Sequence, residues 1–390
     1  MTDIDFLRQE EVVSFILENA YADVNQLLLN PPKIFKDRIR IIADQILARQ
    51  KSVGKLDSWF GSKKLIFPPP LSIEQASSQS TSKYKEGIFK GKRLVDLTGG
   101  TGIDCLSLSH NFSETIYVEQ DKKLCEVFEH NSSELGHSIQ ILNKTAEDFL
   151  ANFEGEATFF IDPARRDLSK KKVFKLEDCS PNLIELVPLL KYKADTVLVK
   201  LSPLLDLTKT LDEISNVKEV HIVSVKNDCK ELLLLLDFDF NHEPTIHAIN
   251  LESNHEPLIF KRNKEQNLKA TYSEVAQYLY EPNASILKAG AFKTVAQKYG
   301  VQKISSNTHL YTSQNLITNF PGKTFEIKAR DAKKQIKNHQ STINVLTRNY
   351  PLKAPELKKR FGLKDGGDDF LIGFRDQKNK SNLVIAKRLD

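Results

Sequence analysis

A glycine-rich turn between a short apolar run and a helix constrains this chain more than any other stretch. It reads KRLVDLTGGTGID, from Lys92 to Asp104. The run Leu94-Val95 predicts a buried strand, and Asp96 comes at its end. Ile103 to Leu108 has the pattern of the first turns of a helix. Because a strand, a tight glycine turn and a helix let a backbone approach a nucleotide-like ligand closely, we expect a doubly wound α/β sheet with a ligand site at this turn.

The details of the turn indicate which ligand it suits. A dinucleotide fold needs G-x-G-x-x-G, but reading from Gly100 the chain has Gly102 and then Cys105, so the third glycine is missing. Asp96 would also repel a pyrophosphate. A ligand with a cationic centre and no phosphate suits this acid better, and S-adenosylmethionine, with its amino group, sulfonium and ribose, is such a ligand. A nicotinamide oxidoreductase is therefore the least favoured function, and an ordinary glycine turn in an α/β domain is the alternative.

Polar residues also follow the other predicted strands, at the edge where open α/β sheets bind ligands. Thr115 to Val118 is followed by Glu119, where a carboxylate can accept both ribose hydroxyls. After the third strand, Glu147 and Asp148 are candidates to meet an adenine, although they could simply start a helix. The repeated coincidence favours one binding site along this edge.

The fourth predicted strand, Ala157 to Ile161, ends in Asp162-Pro163-Ala164-Arg165-Arg166. Asp162 lies where a side chain can face both a cofactor and a substrate, as a general base or as a positioning acceptor. Arg165 and Arg166 could then bind a phosphate or a base edge. A salt-bridged turn is the alternative for this segment.

Length and composition set the broad class. With 390 residues, 40% of them hydrophobic and 27% charged, the chain predicts a globular protein of two or three domains. Its start has no apolar core typical of a signal peptide, and the longest aliphatic block, Leu232 to Leu236, is too short to span a membrane. The four cysteines lie far apart and form no C-x-x-C, so we expect no metal site, no disulfide framework and a cytoplasmic location.

Several predicted elements flank the sheet. Residues 1 to about 60 have helical periodicity, including a helix from Ile34 to Arg49. The prolines of Phe67-Pro68-Pro69-Pro70 predict an extended connector, after which Ser72 is expected to cap a helix. Beyond Leu236 the pattern changes to short strands, predicted from Thr245 to Leu251 and from Pro257 to Phe260. Helices are predicted from Tyr272 to Leu279 and from Phe292 to Tyr299, and Ser381 to Arg388 is predicted as a final strand.

The positive charge is concentrated near the C-terminus. Between Lys323 and Lys364 the chain has twelve lysines and arginines against three acids. A second basic cluster extends from Arg165 to Lys175. Basic stretches are commonly just solvated faces, but this concentration favours a polyanionic partner such as RNA.

Many ordered motifs together resemble one family, the bacterial class I methyltransferases that carry a ferredoxin-like module and a C-terminal THUMP-like domain. The resemblance covers nearly the whole chain and rests on FPPPLSIEQASSQSTSKYK (67–85), VDLTGGTGID (95–104), DPARR (162–166), VLVKLSPLLD (197–206), VKNDCKELL (225–233), LYEPNASILKAG (279–290), NTHLYTS (307–313), FPGKTFEI (320–327) and LKDGGDDF (363–370). In its first glycine motif, D-x-G-x-G-x-G, Thr98 replaces the first glycine. The similarity implies a Rossmann-like sheet that binds S-adenosylmethionine.

The resemblance also implies a domain order and residue roles. It implies a helical N-terminal domain (1–66), a methyltransferase domain (67–236), a small ferredoxin-like α+β module (237–278) and a basic THUMP-like domain (279–390). Asp96 would hold the methionine amino group and Glu119 the ribose. The remaining residues expected at the cofactor are Tyr84, Thr98, Gly100, Gly102, Glu147 and Asp148, and those expected at the reaction are Asp162 and Arg165.

The substrate stays less defined. The chain lacks the N/D-P-P-Y pattern that serves an exocyclic amine, and its Asp162-Pro163-Ala164-Arg165 is similar to the DPPR of pyrimidine C5 methyltransferases. Those enzymes need a cysteine nucleophile, and neither Cys179 nor Cys229 lies in a convincing motif. The hypothesis is an S-adenosylmethionine-dependent methyltransferase acting on tRNA or rRNA. The alternatives are a protein or small-molecule methyltransferase, or a non-catalytic RNA-binding module.

Overall fold

The computed structural model describes residues 2–165, 175–336 and 342–389. The chain divides into two compact units, and each is described by itself. The first unit holds residues 1–217 and 233–241, and the second holds residues 218–232 and 242–390. Within the described ranges, no helix has the length and apolar character needed to cross a membrane.

The first unit begins with a helical region, as predicted. Its elements are α1 (Asp3–Leu7), α2 (Glu10–Glu18), α3 (Val24–Leu29), a 3₁₀ helix (Lys33–Arg38), α4 (Ile39–Ser52) and α5 (Asp57–Phe60). The helix predicted from Ile34 to Arg49 is therefore split, because its first residues form 3₁₀ turns after Pro31-Pro32. The apolar faces bury one common core made of Phe6, Leu7, Val12, Ile16, Phe35, Ile39, Ile42, Ile46 and Ile66.

Two side-chain amides hold the extended connector that follows. Gln45 on α4 donates to the Phe67 carbonyl at 2.7 Å and accepts from the Phe67 N–H at 2.8 Å. Asn131 makes the same pair of bonds with Ile66, at 2.7 and 2.9 Å. These buried bonds replace the backbone pairing that an extended, proline-rich segment cannot supply for itself.

Two helices follow the connector, α6 (Pro70–Gln75) and α7 (Gln79–Ile88). The expected cap at Ser72 is wrong, because α6 already begins at Pro70, whose fixed φ suits the first helical position. Ser78 instead caps α7, where its hydroxyl accepts from the Thr81 N–H.

A parallel sheet forms the centre of the first unit. Its strands are β1 (Arg93–Asp96), β2 (Glu114–Val118), β3 (Gln140–Leu142), β4 (Ala157–Ile161) and, beyond the short pair β5 (Ala164–Arg165) and β6 (Cys179–Ser180), β7 (Ala194–Leu201). The order β7-β4-β1-β2-β3 is parallel throughout. The intervening helices are α8 (Ile103–Ser109), α9 (Lys122–Glu134), α10 (Ala146–Asn152), a 3₁₀ turn (Leu176–Asp178), α11 (Leu183–Leu190) and α12 (Leu207–Glu213). This is the predicted Rossmann-like α/β class.

Two strands, β8 (Val217–Val225) and β9 (Asp228–Leu236), are divided between the units. In the second unit β8 pairs in parallel with β10 (Thr245–Leu251), and β10 pairs antiparallel with β11 (Leu258–Lys261). The further elements are α13 (Arg262–Asn267), β12 (Tyr278–Pro282), α14 (Ala284–Ala289), α15 (Phe292–Tyr299), β13 (Gln302–Lys303), β14 (Tyr311–Ser313), β15 (Gly322–Ala329), α16 (Ala332–Gln335), β16 (Asn344–Arg348), α17 (Ala354–Phe361), β17 (Asp369–Arg375) and β18 (Ser381–Arg388).

A second sheet, with the order β13-β14-β12-β15-β18-β17-β16, accounts for the small α+β character of the C-terminal part. The helix predicted from Tyr272 to Leu279 is wrong. Its end instead forms β12, which lies between β14 and β15 and pairs antiparallel with both. A short apolar run fits either periodicity, so pairing with distant strands decides its structure.

Candidate functional site

The candidate site lies at the carboxyl edge of the first unit's sheet, where the strand order reverses. After β1 the chain continues outward to β2 and β3, whereas β4 and β7 lie on the other side of β1. Open α/β sheets bind ligands in the crevice at such a switch point. Asp96 at the end of β1 and Asp162 just after β4 therefore come to the same edge.

The glycine turn needs its glycines for two separate reasons. Gly102 has a φ of +75°, and a Cβ there would lie 2.0 Å from a ring carbon of Phe128. A Cβ on Gly99 would lie 2.1 Å from the ring of Tyr117. The two rings stack at 4.0 Å, and the Tyr117 hydroxyl donates to the Gly100 carbonyl at 2.7 Å. The turn thus lies against an aromatic pair that leaves no room for a side chain at Gly99 or at Gly102.

Glu119 is held by the backbone on both of its oxygens. Oε2 accepts from the Gly100 N–H at 2.8 Å, and Oε1 accepts from the Asp121 N–H at 2.8 Å. Each carboxylate oxygen has a second lone pair, so a carboxylate oriented in this way can accept two further hydrogen bonds. It joins the glycine turn to the end of β2, which is the arrangement expected for a group that receives a vicinal diol.

Asp96 is almost completely buried, and Thr98 donates its N–H to it at 3.0 Å. Burial raises the pKa of Asp96 well above its ordinary value, against the effect of that N–H, and the nearby charges of Asp104, Asp162 and Glu119 raise it further. Among the described residues, no lysine or arginine pairs with Asp96. A cationic ligand beside it would offset both the burial and the repulsion.

A buried charge network, which the sequence reasoning missed, centres on Asp104 in the first turn of α8. Lys85 Nζ lies 3.2 Å from Oδ1, and Lys200 Nζ lies 3.3 Å from Oδ2. The hydroxyls of Ser77 and Ser82 donate to the same carboxylate at 2.7 and 2.9 Å. Burial alone would raise the pKa of Asp104, but the two lysines and the two hydroxyls hold it well below its usual range.

The available signal for Asp104 was its place directly after the glycine turn. Ser77, Ser82 and Lys85 lie in a dense polar stretch of the sequence before the turn, yet nothing in their spacing identifies Asp104 as their partner. Lys85 is fully buried, which is rare for a lysine unless it is paired.

Asp162 is tied to both neighbouring strands. Its backbone N–H donates to the Thr98 hydroxyl at 2.6 Å, so the side chain that replaces the family's first glycine links β1 to the segment after β4. Lys200, near the end of β7, places Nζ 2.6 Å from Asp162 Oδ2. The Asp162 side chain is about one-third exposed, at 37%. It is therefore positioned by the fold and reachable by solvent.

The other expected residues take varied positions. Tyr84 lies half-buried on α7, on the same helix as Lys85. Glu147 and Asp148 are exposed in the first turn of α10, where the Asp148 N–H donates to the capping Thr145 hydroxyl. Arg165 has its backbone in β5, paired with Cys179, while its side chain and the whole of Arg166 lie outside the described residues.

The cysteines have the environment of structural residues. Cys105, Cys125 and Cys179 are buried, and burial raises the pKa of the half-buried Cys229 thiol above its usual value. A nucleophilic cysteine needs the opposite shift, toward the thiolate.

Comparison with known proteins agrees with this architecture. A ferredoxin-like domain family matches residues 278–321, and a THUMP domain-like family matches residues 323–388. The first match begins where the range expected for the ferredoxin-like module, 237–278, ends. No curated protein matches the sequence.

Solved structures provide the full-length comparison. The crystal structure of a "putative methyltransferase" from Porphyromonas gingivalis W83 is 32% identical, with a TM-score of 0.87 over 97% of this chain and 98% of that chain. An rRNA methylase from Streptococcus thermophilus is 12% identical, with a TM-score of 0.30 over 40% of this chain and 93% of its own, too weak a likeness to carry an argument. From the first similarity and the two domain matches, the chain belongs to the bacterial class I methyltransferase family that carries a ferredoxin-like module and a C-terminal THUMP-like domain.

Proposed function

We propose that this chain is an S-adenosylmethionine-dependent methyltransferase that modifies a nucleotide of tRNA or rRNA. The observation that carries the cofactor part is the glycine turn held between two carboxylates. Asp96 is buried without a cationic partner among the described residues, and Glu119 is oriented by two backbone N–H groups. A cation next to a ribose diol complements this pair, whereas a pyrophosphate would be repelled by Asp96.

In this proposal Asp96 receives the methionine amino group and Glu119 the two ribose hydroxyls. Thr98, Gly100 and Gly102 let the backbone approach the cofactor, while Tyr84 lies on the neighbouring α7. Glu147 and Asp148, exposed at the start of α10, are assigned to the adenine. When bound, S-adenosylmethionine supplies an electrophilic methyl group on its sulfonium, so the protein has only to position the acceptor in line and to receive its proton.

For Asp162, the ion pair with Lys200 favours the role of positioning acceptor over that of general base. Protonating this carboxylate would break a 2.6 Å contact with the Lys200 ammonium. A carboxylate that stays charged can instead accept a hydrogen bond from the target nucleotide and fix its orientation. Arg165, which follows in the same segment, is assigned to a phosphate or a base edge of that nucleotide.

The cofactor assignment is tested by calorimetry of the purified protein with S-adenosylmethionine, S-adenosylhomocysteine and NADH. We expect micromolar binding of the first two and none of NADH. Glu119→Gln should weaken binding about 10- to 100-fold, since one hydrogen bond to a charged group contributes about 1.5–3 kcal/mol. Glu114→Gln on the same strand is the matched control, because the Glu114 carboxylate makes an exposed pair with Arg93. A folded protein that binds neither adenosyl ligand would refute the assignment.

The RNA part rests on the THUMP domain-like match at 323–388 and on the basic residues of that region. Residues 67–236 would carry the reaction, and the basic region within 279–390 would bind phosphates. On α17, Lys359 and Arg360 are exposed in the last turn, where they can reach a polyanion.

The RNA part is tested by filter binding of tRNA and rRNA at several salt concentrations. Replacing both Lys359 and Arg360 by alanine should weaken binding and lower the log–log salt slope by about 1.4–1.8. The matched control replaces Lys33 and Lys36, which are exposed on the N-terminal 3₁₀ helix. Labelled methyl transfer onto RNA from cells lacking the gene then identifies the target. Binding of the cofactor without any retention of RNA would indicate a protein or small-molecule substrate instead.

A further inference from the structure

Three metal-type donor groups lie on one face of two adjacent strands in the second unit. Glu219 and His221 are two residues apart on β8, so their side chains point to the same face. The parallel register pairs His221 with His247 of β10 and Glu219 with Thr245. The topology thus brings two imidazoles and one carboxylate together from segments that are distant in the sequence.

The donor atoms of the three side chains lie within 4.8 Å of one another. Glu219 Oε2 is 3.0 Å from His221 Nε2 and 3.7 Å from His247 Nε2. Both Nε2 atoms thus lie near the same carboxylate oxygen. The two imidazoles stack, with centroids 4.5 Å apart and planes inclined by 11°, and because an imidazole binds a metal in its ring plane, the rings would tilt toward each other to share one ion. Tetrahedral zinc, with bonds of about 2.0–2.1 Å, places its donors about 3.3 Å apart. The observed distances lie on either side of that value.

A simple hydrogen-bonded pair explains only part of this cluster. The 3.0 Å contact satisfies His221 and Glu219 as a histidine–carboxylate pair. His247 Nε2, however, is buried and has no hydrogen-bond partner within the described part of the chain. A buried polar nitrogen without a partner is unfavourable by about 1–3 kcal/mol. A cation between the three groups would use this nitrogen and the carboxylate at once.

We propose that Glu219, His221 and His247 bind a divalent transition metal, with Zn²⁺ as its occupant. Two imidazole nitrogens and one carboxylate oxygen form a donor set typical of zinc, whereas Mg²⁺ and Ca²⁺ prefer oxygen ligands only. Three protein ligands leave a fourth position for water. Glu219 is 32% exposed, so solvent reaches the carboxylate side of the site. The metal would link β8 to β10 and stabilise the second unit.

The test uses the full-length protein without a polyhistidine tag, freed of metal by a chelator and then dialysed. Calorimetric titration with Zn²⁺ alone should give one equivalent bound with micromolar or tighter affinity. His247→Gln and Glu219→Gln should each weaken binding at least tenfold. Titration with Co²⁺ should produce the visible absorption of a four- or five-coordinate ion, which both variants lose.

The matched control is His110→Gln in the first unit. His110 also packs against a second histidine, His137, at 5.0 Å between ring centroids, but neither belongs to a metal-type cluster among the described residues. This variant should bind Zn²⁺ like the wild-type protein. Circular dichroism verifies that each variant is folded. Absence of stoichiometric binding by the folded wild-type protein, or binding that survives both His247→Gln and Glu219→Gln, would overturn the proposal, and neither result depends on S-adenosylmethionine.

Discussion

Replacing Gly102 by alanine provides a sensitive test of how the glycine turn is built. Its φ of +75° is unfavourable for an alanine by about 1–2 kcal/mol. Alanine also restricts the unfolded chain more than glycine does, which stabilises the folded state by about 0.4–1 kcal/mol and offsets part of this cost. The new Cβ would also lie 2.0 Å from the Phe128 ring, which is stacked on Tyr117 and cannot move away freely. Overpacking of this kind destabilises by about 1–3 kcal/mol. We expect a total loss of about 2–4 kcal/mol in the free energy of unfolding of the first unit.

A glycine elsewhere in the same unit isolates the contribution of the contact. Gly136 has a similar φ of +77°, but nothing lies within 4 Å of the position where its Cβ would be built. Gly136→Ala should therefore show the backbone effect alone, about 1 kcal/mol or less. The difference between the two variants measures the clash with Phe128.

The assay is urea unfolding followed by tryptophan fluorescence. The chain has a single tryptophan, Trp59, which is buried in the core cluster of the first unit together with Tyr117 and Phe128. Its emission therefore reports the unit that contains the turn. Equal losses for Gly102→Ala and Gly136→Ala would refute the reasoning, and so would full stability of the Gly102→Ala protein.

Three further outcomes are expected for the same unit. Asp104→Asn removes the carboxylate that pairs with the buried Lys85 and with Lys200 and should destabilise by about 3–5 kcal/mol, measured by the same fluorescence assay. Because the folded pKa of Asp104 lies below its ordinary value of 3.8, its contribution is present above that pH and is lost as the pH falls below it. Urea titrations at pH 7 and pH 3 should show this loss in the wild-type protein and a smaller one in Asp104→Asn. Tyr117→Phe removes the bond to the Gly100 carbonyl and should decrease the unfolding free energy by about 1 kcal/mol, whereas an unchanged midpoint would assign the turn's stability to ring stacking alone.

The elements that could be predicted from sequence are those whose pattern is local and complete. Two strands, Thr245–Leu251 and Ser381–Arg388, have the predicted bounds. In each, the sequence is either alternating apolar and polar or continuously apolar, and turn residues flank it. The helix Phe292 to Tyr299 ends at a glycine with positive φ, which is a local stop signal. By contrast, the helix predicted from Tyr272 to Leu279 was wrong, because the structure of this segment depends on β14 and β15, the strands on either side of β12.

The residues of the candidate site differ in the same way, since some are placed by a local strand pattern and others only by the fold. Asp96 and Glu119 follow directly from strands, so their position at the sheet edge could be predicted from the parallel topology. The role of Asp104 could not be predicted, because its partners lie in three separate segments and only the fold brings them into contact: Ser77 before α7, Lys85 on α7 and Lys200 on β7. The His221 and His247 pair is a similar case, since the register of β8 and β10 and not a sequence spacing makes them neighbours.

The charge network also explains why four separate motifs occur together in this chain. Each motif supplies members of one connected set, namely Ser77, Ser82 and Lys85 from 67–85, Asp104 from 95–104, Asp162 from 162–166 and Lys200 from 197–206. Its two carboxylates are balanced by its two lysines, so the part around Asp104 can stay buried while Asp162 remains partly exposed. Removing one carboxylate or one lysine upsets this charge balance in a low-dielectric site. The motifs must therefore be kept as a set if Asp162 is to remain beside the glycine turn, and this gives the resemblance a physical basis at the site itself.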